Sequence, residues 1–191
     1  DLVIASHGEI RDEAGFNSIM YTLIGACSDK KLKKSKISLE DEIGKYELPK
    51  PLAPTACIIT SRTLRYKMFQ NEYGISGLAL RFDAEGNCTL TIEEGAAIHN
   101  IPFGISDWKI GMTDRRNPFQ GMVYANTMNT TPARTAGICS WSTPSEFKAF
   151  YLSMFNVGST ENFTFSFDKD SLTFTIKGRQ KDIILHGTMQ K

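Results

Sequence analysis

Two segments place a lysine three residues after a serine, the spacing that lets a lysine on a helix take the proton of a nucleophilic serine. Ser28 and Lys31 lie in a run of lysines, where an exposed ammonium keeps its proton and cannot act as a base. Ser145 and Lys148 precede an alternating pattern typical of a strand, which points the two side chains in opposite directions. Neither pair is therefore predicted to be catalytic.

The other reactive residue types also lack a catalytic or metal-binding pattern. Tyr124-Ala125-Asn126 has the form Y-x-N, but no third motif accompanies it. The histidines are far apart in sequence, and the cysteines contain no C-x-x-C pair of the kind that zinc knuckles and redox sites use. A triad assembled in space stays open as an alternative. We predict no catalytic residue, no metal ligand and no cofactor.

Aromatic and basic side chains in the second half of the chain form the one candidate binding site. Aromatic rings with a few polar groups suit a concave site for a small apolar molecule, a sugar or a peptide. The candidate ligand-binding residues are Trp108, Tyr124, Arg134 and Trp141. The alternative, which we favour for both tryptophans, is that their rings fill a protein core.

The charge balance gives no argument for a polyanionic partner. Lys and Arg number 22 against 21 for Asp and Glu, so no excess of positive charge is available for nucleic acid or an anionic membrane. No apolar run approaches the roughly 18 residues of a transmembrane helix. We predict no nucleic-acid partner and no transmembrane segment.

The first third of the chain contains one amphipathic helix and a linker. Between residues 16 and 27 the apolar residues recur at i, i+3, i+4, i+7, i+8 and i+11, which is one face of a helix. The strand-like segment Leu2 to Ser6 precedes it. Residues 28 to 54 are charged and end in three prolines, a composition typical of an extended linker. The predicted parts are therefore residues 1 to 27, the linker 28 to 54, and a domain over residues 55 to 191.

Residues 55 to 191 alternate apolar and polar side chains, the pattern of strands with one wet face. Two hairpins are the clearest: residues 78 to 92 turn at Ala84 to Asn87, and residues 163 to 176 turn at Asp168 to Asp170. Further strand candidates bring the number to ten or eleven. So many antiparallel strands must close into a barrel or pack as two sheets. We predict a mainly β fold, an antiparallel lipocalin-like β-barrel or else a β-sandwich, preceded by one strand and one helix.

Several segments of this β-region carry a family resemblance. They are Asn71 to Asp83, Ile101 to Gly104, Trp108 to Thr113, Gly137 to Trp141 and Phe163 to Ile176. The region resembles the C-terminal accessory domains of bacterial serine hydrolases related to β-lactamases and penicillin-binding proteins. Residues 1 to 27 and the proline-containing linker resemble the last strand and helix of the catalytic domain in that family. The resemblance implies a truncated chain without a complete set of the family's S-x-x-K, Y-x-N and K-T-G motifs.

Three functions follow as hypotheses. The first, implied by the resemblance, is a non-catalytic accessory domain that modulates active-site access or assembly of a serine hydrolase domain of the same polypeptide, in the cytoplasm or cell envelope of a bacterium. The second is a free-standing lipocalin-like binding module. The third is an enzyme with an unrecognised site, which would need a nucleophile and a base within hydrogen-bond reach. Residues 1 to 27, deprived of their partner domain, are also expected to pair two copies in a non-physiological dimer.

Overall fold

The computed structural model describes Ala14 and residues 16–18, 20–22, 50, 52–53, 55–115, 132–153, 160–178 and 181–190. The chain divides into two compact units, Asp1–Pro49 and Lys50–Lys191. In the first unit the described residues are helical, and all of them except Ala14 lie within residues 16 to 27, where the sequence predicts the amphipathic helix. Thr22 Oγ1 donates a hydrogen bond to the Ser18 carbonyl four residues earlier (2.8 Å), as threonines in helices commonly do. The predicted strand at residues 2 to 6 lies outside the described residues.

The second unit contains ten described strands. They are β1 (Arg62–Met68), β2 (Ile75–Phe82), β3 (Cys88–Glu94), β4 (Ala97–Ile105), β5 (Lys109–Thr113), β6 (Ala133–Thr143), β7 (Glu146–Ser153), β8 (Thr160–Asp168), β9 (Ser171–Ile176) and β10 (Ile183–Met189). Each of these strands falls where the alternation predicts a strand. The strand candidate at residues 121 to 128 lies outside the described residues.

Both predicted hairpins are present, and their turns have identifiable local causes. Between β2 and β3, Asp83 Oδ1 accepts hydrogen bonds from the backbone N–H groups of Glu85 (3.1 Å) and Asn87 (2.8 Å). Gly86 takes a φ of +88°, which a residue without a side chain adopts at little cost. Short side chains that bind their own backbone favour turns, and they set the strand register here.

The strands close into a nine-stranded barrel, which confirms the predicted lipocalin-like fold. Around the barrel the neighbours follow chain order from β1 to β4 and from β6 to β10, and β10 pairs with β1. An odd number of strands cannot all be antiparallel to both neighbours. The mismatch lies between β4 and β6, which pair in parallel at Gly104 with Ile138 and at Ile105 with Cys139. Strand β5 reverses the chain between them and pairs along the other part of β6.

The closing seam needs small residues because three strands approach one another there. A Cβ atom added to Gly111 would collide with the ring of Pro102, and one added to Gly137 would collide with the Pro102 carbonyl. Both glycines therefore allow β5 and β6 to lie against β4. Glycine within a strand often marks such a close backbone approach.

The alternating residues of the nine strands pack into one core. Its largest fully buried side chains are mostly aromatic, which explains why β8 carries phenylalanine at the three alternate positions Phe163, Phe165 and Phe167. Phe165 and Phe174, directly opposite each other on β8 and β9, stack with ring centroids 4.8 Å apart. Such cross-strand pairs stabilise the sheet in addition to their burial.

Candidate functional site

One end of the barrel, where β6 turns into β7, is filled by aromatic rings, and we call it the aromatic end. The Trp141 ring lies 5.0 Å from that of Phe147, 5.5 Å from that of Phe167 and 5.7 Å from that of Phe82, measured between centroids. Trp141 is only 1% exposed. This end is a packed plug, which a ligand could enter only by displacing buried rings.

The opposite end carries a buried ion pair, and we call it the charged end. Strand β5 ends at Thr113, and Arg115 follows two residues later, in the same inward phase. Its Nη1 lies 2.6 Å from Glu161 Oε2 at the start of β8. The side chains of Arg115 and Glu161 are 1% and 0% exposed. A short, charge-assisted hydrogen bond thus joins the segment after β5 to β8.

Further polar and aromatic groups surround this pair. Arg115 Nε lies 3.5 Å from Oε2 of Glu94, which ends β3 and is one-third exposed. The Arg115 guanidinium also lies over the Phe163 ring, with Cζ 5.9 Å from the centroid. The buried Tyr151 sits directly opposite Glu161 in the β7–β8 register. The guanidinium is therefore held between two carboxylates and a ring face, which fixes its position.

A second polar pair lies close to the charged end. His99 Nδ1 is 2.8 Å from Asp114 Oδ1, and Asp114 immediately precedes Arg115. The His99 side chain is 13% exposed and that of Asp114 57% exposed. This pair sits at the solvent boundary, in contrast to the buried Arg115–Glu161 pair.

Burial dominates the titration of the interior groups. It raises the pKa of Glu161 to about 7, although Arg115 and a hydrogen bond from Tyr151 lower it in part. Burial likewise raises the pKa of the Tyr151 phenol, and the charge of Glu161 raises it further. For Arg115, burial works to lower the pKa, but the charges of Glu161, Tyr151 and Glu94 outweigh it and raise the pKa. Glu161 therefore changes charge near neutral pH, while Arg115 stays protonated.

Three buried polar atoms at the charged end have no hydrogen-bond partner among the described residues. They are Arg115 Nε, Thr135 Oγ1 and Glu161 Oε1. Thr135 is fully buried on β6, in the inward phase of Cys139 and Trp141. A buried polar atom without a partner costs about 1–3 kcal/mol, so three at one end of one barrel call for an explanation.

The structure separates Arg134 from Trp141, two of the residues predicted to bind a ligand. They are seven positions apart on β6, and strand side chains alternate, so they face opposite sides of the sheet. Arg134 is exposed, opposite Met112 of β5, whereas Trp141 lies in the aromatic end. Trp141 therefore fills the core, as the favoured interpretation of the sequence predicts.

Trp108 does not join Trp141 either. It lies in the connection between β4 and β5, where its ring contacts Phe150 with centroids 5.8 Å apart. Phe150 alternates with the core residues Ala149 and Tyr151 and is only half-buried, so this contact lies outside the barrel core. Tyr124 lies outside the described residues. The structure therefore does not bring Trp108, Arg134 and Trp141 together in one pocket.

The serine–lysine pairs and histidines considered as catalytic candidates do not form a site in the described part of the chain. Lys148 on β7 pairs with Glu146 (3.1 Å), and Ser145 interacts with Thr143 in the preceding turn. Ser28 and Lys31 lie outside the described residues. His186 contacts Thr173 Oγ1 at 3.2 Å on the exposed face of the β9–β10 pair.

A cavity of about 360 Å³ lies in the second unit, beside β6. Its lining residues are Lys50, Leu52, Ala53, Ser106, Ile138 and Cys139. Lys50 forms an ion pair with Asp107 (2.5 Å). Burial raises the pKa of the Cys139 thiol to about 12, so it is not a ready nucleophile. The charged end, with its buried Arg115–Glu161 ion pair, is therefore the stronger candidate for a functional site.

Sequence reasoning missed the Arg115–Glu161 pair because the two residues are 46 positions apart. One signal for Glu161 was available in the sequence. Glu161 shares its alternation phase with Phe163, Phe165 and Phe167, so a carboxylate was placed on the inward face of an apolar strand. A charge in that phase is rarely buried unless it has a partner.

Comparison with known proteins found no matching family model, no matching curated protein and no matching solved structure. Among the described residues, no helix is long and apolar enough to cross a membrane. In the same part of the chain, no group of three or more His, Cys, Asp or Glu side chains is arranged to hold a metal ion. The function is therefore argued from the geometry of the charged end.

Proposed function

We propose that this chain is a non-catalytic β-barrel binding module, which holds a small polar group of its ligand at the charged end. The observation that carries the proposal is the pair of buried atoms there that have no hydrogen bond within the described part of the chain, Glu161 Oε1 and Thr135 Oγ1. Binding sites in barrels are mostly apolar, with a few placed polar groups that orient the ligand. The charged end has that composition, with Phe163 and Tyr151 beside the ion pair.

Binding is favoured over catalysis by the partners of these groups. Arg115 is engaged by Glu161 and Glu94, and the raised pKa of Tyr151 keeps the phenol protonated. The hydrogen bonds described around Arg115 and Glu161 include no serine or cysteine that could serve as a nucleophile. A carboxyl group that changes charge near neutral pH without a nucleophile beside it suits recognition of a charged ligand.

The accessory role implied by the resemblance to β-lactamase-related serine hydrolases is the second candidate. It is supported by β5, which within the described residues pairs with β6 along one edge and with no strand along the other, and which exposes Ile110 (48%) and Met112 (52%). An exposed apolar edge strand suits docking against another domain. Sequencing the reading frame upstream of residue 1 tests this role. A frame that encodes no serine hydrolase domain contradicts it.

The binding function is tested by nuclear magnetic resonance titration of the whole chain with three two-carbon probes: ethylammonium, ethanol and acetate. The probes share size and differ in charge. We expect at least one of them to shift the backbone amide signals of Thr135, Tyr151 and Glu161, with no change at Trp141 in the aromatic end. If none of the three probes shifts the amides at the charged end at up to 100 mM, on the order of the weakest fragment affinities, the proposal fails.

A further inference from the structure

The outward face of β1 and β2 carries one arginine on each strand, Arg65 and Arg81. In the β1–β2 register, Arg65 lies opposite Ala79. Arg81 lies opposite Thr63, two positions away on the same face, so the two arginines are diagonal neighbours. Diagonal cross-strand positions lie about 7–8 Å apart, within reach of long side chains. Both arginines are exposed, and their guanidinium groups can therefore meet over one small area of the barrel surface.

The surface between the two arginines is polar and open. Thr63 on β1 and Thr89 on β3 flank Arg81 in one cross-strand row. Ala79, the previous outward residue of β2, carries only a methyl group and leaves space beside Arg65. A threonine hydroxyl can donate a hydrogen bond to an anionic oxygen. The face thus offers two cations and two hydroxyl groups around a small side chain.

No acid forms an ion pair with either arginine in the described part of the chain. Asp83, the next outward residue of β2, lies 3.6 Å from Lys109 and accepts a hydrogen bond from the side chain of Asn87. Glu93 on β3 lies over Gly77, because a Cβ atom added to that glycine would meet the glutamate carboxylate. The acids on this face are therefore placed against other groups than the two arginines.

The stability of the sheet does not account for this arrangement of charge. Opposite charges on neighbouring strands stabilise a sheet, whereas like charges facing each other destabilise it. The chain contains 21 acidic residues, yet β1 carries three basic residues and no acid, and β2 carries one basic residue and no acid. The net charge of +1 for the whole chain does not reveal this local excess. Like charge gathered on an exposed face favours an anionic ligand.

We propose that Arg65 and Arg81 bind a phosphate monoester group on the outer face of the barrel, with Thr63 and Thr89 as further hydrogen-bond donors. This site shares no residue with the charged end and does not depend on the function proposed there. A guanidinium group matches phosphate oxygens with paired, charge-assisted hydrogen bonds. A phosphate monoester carries a charge of about −1.5 to −2 near neutral pH and three acceptor oxygens, so it can engage both arginines at once.

Other anionic groups fit the two arginines less well. A carboxylate has one charge and two oxygens, which a single guanidinium satisfies in a bidentate pair. A sulfate monoester has three free oxygens but only one charge. Only the phosphate monoester combines a second charge with a third oxygen, and both are needed to pair with two guanidinium groups.

Nuclear magnetic resonance titration of the whole chain with ethyl phosphate at pH 8 tests the site, at an ionic strength held constant with sodium chloride. We expect the backbone amide signals of Thr63, Arg65, Ala79 and Arg81 to shift. Ethyl sulfate should bind about fivefold more weakly, the effect of one exposed charged contact, and acetate should act like chloride. The absence of a shift beyond that of chloride at about 50 mM ethyl phosphate overturns the proposal. If ethyl sulfate binds as tightly as ethyl phosphate, the assignment to phosphate is wrong.

Single substitutions separate the site from the overall charge of the protein. Arg65→Gln and Arg81→Gln should each weaken ethyl phosphate binding about fivefold. Arg134→Gln removes the same charge from an exposed position on β6 and is the matched control, which should bind like the wild type. All three side chains are exposed, so the variants should fold, and thermal melting checks this. The proposal is wrong if either β1–β2 variant keeps the wild-type affinity, or if the control loses as much.

Vesicle sedimentation distinguishes a lipid headgroup from a soluble ester as the source of the phosphate. The vesicles contain phosphatidylcholine alone or mixed with phosphatidic acid, whose headgroup is a phosphate monoester. Binding to the mixed vesicles that is lost in Arg65→Gln supports the site with a lipid ligand. Binding of ethyl phosphate without vesicle binding supports the site with a soluble ligand. If the protein binds neither, the proposal fails.

Discussion

Replacing Glu161 with glutamine should remove a pH dependence from the stability of the barrel. Glu161 is fully buried, and burial raises its pKa to about 7, compared with 4.5 for an unperturbed glutamate. Between these two values the folded chain holds a proton that the unfolded chain has released. The contribution of Glu161 to the free energy of unfolding therefore falls as the pH rises through this window, and this contribution is smallest above pH 7. Below about 4.5 both states are protonated, and Glu161 contributes no pH dependence.

The magnitude follows from the difference between the two pKa values. Each unit of difference corresponds to about 1.4 kcal/mol, so ionising Glu161 lowers the free energy of unfolding by about 3 kcal/mol between pH 5 and pH 8. Glutamine has the same shape and no proton to lose. Between pH 5 and pH 8, the free energy of unfolding of the wild type should therefore fall by about 3 kcal/mol more than that of Glu161→Gln.

Urea denaturation at pH 5 and pH 8, followed by circular dichroism and tryptophan fluorescence, measures the effect. The effect is the change in the free energy of unfolding between pH 5 and pH 8 in the wild type, minus the same change in Glu161→Gln. Other titrating groups, such as Asp83 and Asp182 with their lowered pKa values, are common to both proteins and cancel. If the two proteins respond to pH within about 0.5 kcal/mol of each other, a scatter typical of additivity tests, the reasoning about Glu161 is refuted.

Three further predictions concern the rest of the fold. Trp141→Ala should lower the free energy of unfolding by about 3–5 kcal/mol, because it empties the aromatic end, and Trp108→Ala should cost less. Gly137→Ala should cost about 1–3 kcal/mol, because its Cβ would meet the Pro102 carbonyl at the closing seam. A truncated chain of residues 50–191 should unfold cooperatively, since that unit contains the whole described core.

Thermal melting and urea denaturation of these variants provide the checks. If Trp108→Ala proves as costly as Trp141→Ala, the aromatic end does not dominate core stability. A Gly137→Ala protein that melts with the wild type would show that the seam can relax. Loss of the cooperative transition in the truncated chain would make the Asp1–Pro49 unit integral to folding.

The strands and their turns follow from the sequence by itself. Alternation with a period of two assigns inward and outward faces to β2, β3, β8 and β9, because successive strand side chains point to opposite sides. The turns at residues 83 to 87 and 168 to 171 connect strands that are adjacent in sequence, so their pairing needs no information from distant residues. The lipocalin-like barrel could be predicted because so many antiparallel strands need closure.

The tertiary structure alone decided how the barrel closes and which residues meet inside it. The parallel pairing of β4 with β6 depends on the number of strands around the barrel, which no local pattern encodes. Both Trp108 and Trp141 are candidates in the sequence, yet only Trp141 lies in the aromatic end, because it points inward from β6 whereas Trp108 lies in the connection between β4 and β5. The tertiary structure also decided that Arg115 and Glu161 meet. Their contact requires the barrel to bring the end of β5 to the start of β8, and local patterning acts over only a few residues.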